Sequence, residues 1–109
     1  MNERDKALLT DLRERLPLQT KKHIKRLIVF GSRVRAEETE GSDLDIIALV
    51  DEKTPEIEKT LDDIVYQVMW DHDFRPIISL KIFAESKFND AFSKGFSFYR
   101  HVAEEGVTV

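Results

Sequence analysis

At 109 residues the chain is long enough for one hydrophobic core and short of a further module, so a single domain over 1–109 is expected. Its 17 basic and 21 acidic residues leave a net charge of −4, which excludes a global basic field that would draw nucleic acid. The absence of cysteine excludes disulfides, thiolate zinc sites and cysteine nucleophiles; a bound metal must use oxygen or imidazole ligands, which favours a hard cation such as Mg2+.

Leu8, Leu9, Leu12 and Leu16 recur at helical spacing among charges and predict an amphipathic helix ending near Pro17. The β-branched and aromatic run in Arg26 to Phe30, stopped by Gly31, predicts a buried strand. Leu44 to Val50 predicts a second strand. Thr54 and Pro55 then start a helix with Ile57, Leu61, Ile64, Val65 and Val68 on one face. Asp71, His72 and Asp73 read as a solvated loop, followed by a third strand from Pro76 to Phe83. Two short helices, about Ser86 to Phe92 and Ser97 to Glu105, complete the pattern, with no internal repeat and no Pro/Gly/Ser-rich linker. No apolar run approaches the roughly 20 residues of a membrane span. Met1 to Lys6 lacks the hydrophobic segment of a secretory signal, so a cytoplasmic protein is expected.

The chemistry concentrates between the first two strands. A glycine straight after a strand can take positive φ and lets backbone N–H groups approach a phosphate; Ser32 adds a hydroxyl there. Arg33 or Arg35 can add charge-assisted hydrogen bonds to an anionic oxygen. After ten intervening residues, 33–42, come Asp43, Leu44 and Asp45. Side chains two apart on a strand share a face, so the two carboxylates project together, an arrangement that makes sense if a divalent cation neutralises them. Mg2+ bound by one or two carboxylates plus substrate phosphates fits, and it would stabilise charge developing on a leaving pyrophosphate.

The stretch Gly31-Ser32-Arg33-Val34-Arg35, followed by Ser42-Asp43-Leu44-Asp45, resembles the signature of the minimal nucleotidyltransferases of the polymerase β-like superfamily. A weaker resemblance runs along nearly the whole chain, to the Phe-Tyr-Arg-His ending at Phe98 to Gly106. It implies an α/β nucleotidyltransferase fold, a small mixed β-sheet flanked by helices, with a Mg2+-ATP site and transfer of a nucleoside monophosphate to a hydroxyl. Carried over by position, Gly31 and Ser32 are the phosphate-binding turn, and Asp43 and Asp45 the metal ligands and catalytic carboxylates; Arg33, Arg35 and Ser42 join the nucleotide-binding set. Many such proteins pair with helical HEPN-domain proteins in toxin–antitoxin systems and adenylylate the toxin, so a HEPN-type partner and the antitoxin role are implied.

This sequence departs from the pattern in two places. Ala36 stands where glycine is frequent. Active members usually carry a third carboxylate on the neighbouring strand, whereas Ile77, Ser79 and Lys81 share the corresponding face here. A protonated lysine can contact phosphate but cannot ligate Mg2+. Asp71, Asp73 and Glu85 flank that strand as loop or cap residues. The rival to an enzyme is therefore a degenerate relative that docks on a HEPN-type partner without transfer; a small hydroxylated acceptor such as an aminoglycoside is disfavoured by the short chain. A homo-oligomer stays open. His23 and His101 read as structural or surface residues, Lys21, Lys22, Lys25 and Arg26 as a solvated surface, and the aromatic tail from Phe88 to Tyr99 as mostly core, with Phe96 to Tyr99 a candidate partner surface.

Overall fold

Two antiparallel strands, β1 (Ile24–Phe30) and β2 (Leu44–Val50), form the centre of a four-stranded sheet in the computed structural model, which describes residues 1–34 and 41–109. The strand order is β3-β2-β1-β4, with β3 (Ile78–Ala84) parallel to β2 and β4 (Val107–Thr108) antiparallel to β1. Every residue of β2 except Asp45 is buried, because helices cover both faces of the sheet; this is why the strand reads as a continuous apolar run.

The pleat divides β2 between two cores. Leu44, Ile46, Ala48 and Val50 join Leu8, Leu9 and Leu12 of α1 (Glu3–Arg15) and Ile57, Leu61, Val65 and Val68 of α3 (Pro55–Asp71). Ile47 and Leu49 face the other way, with Ile28, against Phe88 of α4 (Glu85–Ser93) and Val102 of α5 (Ser97–Glu105). Asp45 has the parity of Ile47 and Leu49, so it lies on the α4/α5 side at the strand's entry. The helix α3 makes the crossover that a parallel β2–β3 pair demands. Its start is fixed by the Thr54 hydroxyl, which accepts from the Ile57 N–H at 3.2 Å, and by Pro55 in the first turn.

The predicted α/β class, the second strand and the start of α3 agree with this architecture. Several boundaries differ. The first strand begins at Ile24, since Lys25 and Arg26 are exposed along a strand whose other half is buried. The third begins at Ile78; Pro76 follows a cis peptide bond and precedes the ladder. A one-turn helix, α2 (Leu18–Lys21), and the two-residue β4 went unread, and β4 exists through its pairing with Ile28 and Val29. The expected solvated loop at Asp71 to Asp73 holds for the turn at His72 and Asp73, with Asp73 exposed, and is corrected at its start and in its contacts. Asp71 is the last residue of α3 and pairs with Arg15 at 2.7 Å, while His72 Nε2 lies 2.9 Å from Asp11 Oδ2, fastening α3 to α1.

His23, expected to be a structural or surface residue, is exposed and pairs through Nδ1 with Asp51 at 3.0 Å. The basic run is exposed as expected, with Arg26 donating to the Thr108 hydroxyl. Of the aromatic tail, Phe88 is buried and Phe98 and Tyr99 pack on the second core, whereas Phe92 and Phe96 are exposed. No described helix is long and apolar enough to cross a membrane.

Candidate functional site

At the end of β1 the chain turns at Gly31, whose φ of +91° lies in the left-handed region that favours glycine. The turn is closed by the Val34 N–H donating to the Gly31 carbonyl at 3.2 Å. A Cβ at residue 31 would stand 2.8 Å from Asp45 Oδ2, so the missing side chain is what leaves space beside that carboxylate. Phe30 pairs with Asp45 across the β1–β2 ladder, which brings the turn and the carboxylate to the same end of the sheet. Ser32 is half-buried in this turn, and its hydroxyl has no protein partner among the described residues.

Asp43 stands exposed just before β2, and the Leu44 N–H donates to the Ile77 carbonyl at 2.8 Å, tying this entry to the start of β3. Asp45 is half-buried. Burial raises its pKa above the ordinary carboxylate value, the Lys81 charge opposes the rise, and the Asp43 charge adds to it. Two neighbouring carboxylates, one resisting ionisation, form an environment that a divalent cation would relieve. Asp43 and Asp45 fit that ion, with the space beside Gly31 available for further oxygen ligands. Among the described residues no cluster of three or more His, Cys, Asp or Glu side chains could hold a metal, so water or substrate would complete its shell.

Arg33 has a different task from the phosphate contact expected of it. Its side chain is buried and forms a two-pronged pair with Asp5, Nε to Oδ2 at 2.9 Å and Nη2 to Oδ1 at 3.0 Å. Its remaining nitrogen, Nη1, donates to the Ser42 carbonyl at 3.1 Å and the Ser42 hydroxyl at 3.0 Å. One guanidinium therefore fastens the glycine turn, from within which it springs, and the residue before Asp43 to the inner face of α1. Ser42 is held as the recipient of this clamp. Arg35 lies outside the described residues.

Asp5 is the residue that the sequence reading missed, though a signal was present. It falls three and four residues before Leu8 and Leu9, on the apolar stripe of α1, and is fully buried. A carboxylate there calls for a cationic partner. On β3, Ser79 pairs with Asp45 and Lys81 with Ile47, which places both on the α4/α5 side. No Asp or Glu occurs in β3.

The turn, the paired carboxylates and the mixed sheet define an α/β protein with a candidate metal site at a strand end, and comparison with known proteins gives the family. The chain belongs to the nucleotidyltransferase domain family, which it matches over residues 6–103. Comparison with curated proteins gave no match. Among solved structures, it is similar to the crystal structure of a toxin-antitoxin with AMP-PNP, with a TM-score of 0.57 and 16% identity, over 98% of this chain and 72% of that one. At that identity the likeness is one of fold.

Proposed function

We propose that the protein is a Mg2+-dependent adenylyltransferase that moves AMP from ATP to a hydroxyl on a protein partner, as the antitoxin of a pair with a HEPN-type toxin. The observation that carries this reading is the approach of Gly31 to Asp45, with Asp43 beside it, at the mouth of the central strand pair. The toxin-antitoxin structure of similar fold, which contains AMP-PNP, supports the choice of an adenine nucleotide and of a protein partner.

In this reading Asp43 and Asp45 hold the cation, which supplies charge neutralisation for the phosphates. Gly31 keeps the space beside Asp45 clear, and Ser32 offers a hydroxyl without a partner among the described residues within the turn. Arg33 acts at one remove by fixing Ser42, and through it the backbone leading to Asp43.

A second reading is favoured by one observation: β3 carries Ser79 and Lys81 on the site's face and no carboxylate to accept a proton from an attacking hydroxyl. In this reading the protein docks on its partner without transfer. Incubation with ATP labelled at the α-phosphate, Mg2+ and the partner separates the two. Transfer of label that Asp43→Asn abolishes is expected; co-purification of the partner with no transfer under any condition would overturn the adenylyltransferase in favour of the docking protein.

A further inference from the structure

The site has an imbalance of charge. One divalent ion would offset Asp43 and Asp45, leaving the charge of a triphosphate to be met largely by protein cations. Arg33 is not available for this. Its nitrogens are committed to Asp5 and Ser42 inside the fold. Lys81 is differently placed: it is exposed, forms no ion pair with a described residue, and stands two residues along β3 from Ser79, the ladder partner of Asp45. The parallel register puts Asp45, Ser79 and Lys81 on one face, where Asp45 and Ser79 are half-buried and Lys81 is exposed.

We propose that Lys81 is a phosphate-binding residue of this site, its ammonium donating to non-bridging oxygens of the bound triphosphate and supplying the protein cation that Arg33 cannot. The assignment rests on the nucleotide-site reading above. Electrostatics agree with the placement, since the Lys81 charge acts on the Asp45 carboxylate across the ladder and favours its ionised form. A flexible ammonium suits a triphosphate that is anchored by a metal at its other oxygens, because it acts as a point charge and needs no fixed fork geometry. Ser79, half-buried between the two, is a hydroxyl within the same row.

The test is calorimetric titration of the intact chain with AMP-PNP in the presence of Mg2+, comparing wild type with Lys81→Met, Lys81→Arg and Asp45→Asn. Thermal melts report folding, which an exposed position should leave unchanged. Lys81→Met is expected to weaken AMP-PNP about tenfold, the scale of one charge-assisted hydrogen bond, and Lys81→Arg to restore most of that loss. Inorganic triphosphate should compete less well against Lys81→Met than against wild type, which separates a phosphate contact from one to the base or sugar. Wild-type affinity in Lys81→Met, alongside lost binding in Asp45→Asn, would overturn the assignment while leaving the site reading intact. Failure of the wild type itself to bind AMP-PNP would overturn both.

Discussion

Two sets of charges, joined through Ser42, are handled in opposite ways in this molecule. Asp5 and Arg33 are buried and matched donor to acceptor, with the spare guanidinium nitrogen used by Ser42. Asp43 and Asp45 open toward solvent with like charge beside like charge and glycine in place of a covering side chain. The first set is complete within the protein and can serve as structure. The second is incomplete, and an incomplete set of charges at a strand end is what a ligand completes.

The comparison predicts a difference in sign as well as in size. Removing one member of the buried pair, by Asp5→Asn or Arg33→Gln, should destabilise the fold by about 3–5 kcal/mol in urea titrations, because the remaining ion loses its counter-charge among the described residues. Replacing both at once with apolar residues, Asp5→Leu with Arg33→Met, should recover much of that loss. A double variant no better than the worse single one would mean that the Ser42 contacts, and not the ion pair, carry the stability. Gly31→Ala should cost about 1–2 kcal/mol from the positive φ. It should also blunt any rise in melting temperature on adding Mg2+, because the new Cβ meets Asp45 Oδ2. Asp45→Asn should run the other way and stabilise the cation-free protein by up to about 1 kcal/mol, since it removes a half-buried charge repelled by Asp43, while abolishing the Mg2+ response. Loss of stability in Asp45→Asn would show that the carboxylate is structural and place it with Asp5.

What the sequence disclosed follows the same division. The continuous apolar run of Leu44 to Val50 is legible because both faces of β2 are covered, and Thr54-Pro55 because capping is local chemistry. Gly31, Asp43 and Asp45 are legible because the turn and the pleat fix their relation over a short stretch. The clamp was not, because its partners are 28 residues apart and a guanidinium serves phosphate or carboxylate equally well. Its one trace was the carboxylate at position 5 on a leucine stripe, a violation of the helix pattern that signals a buried partner. The two-residue β4 and the single turn α2 have too little periodicity to read; β4 takes its form from the strand it joins.

Between the two extremes lies the half-exposed link from α1 to α3, where Asp11 accepts from Arg15 at 2.8 Å and stands 2.9 Å from His72 Nε2. It should give the smallest effect. The hydrogen bonds from Arg15 first, and then from His72, hold the Asp11 carboxyl below its ordinary value of 3.8, against a smaller opposing effect of burial. A carboxyl whose pKa is depressed by folding contributes stability that is present above the unfolded value and is lost as pH falls through the folded one. The link should therefore be intact at neutral pH and fail on acidification below about pH 4, loosening α3 from α1 at the Asp71 end. Measured as the pH dependence of the urea midpoint, Asp11→Asn should flatten this acid limb slightly and leave the neutral plateau nearly unchanged, since a solvent-screened link contributes little there. A neutral-pH loss as large as that of Asp5→Asn would break the ordering, because it would mean that exposure does not decide how much a matched charge contributes to this fold.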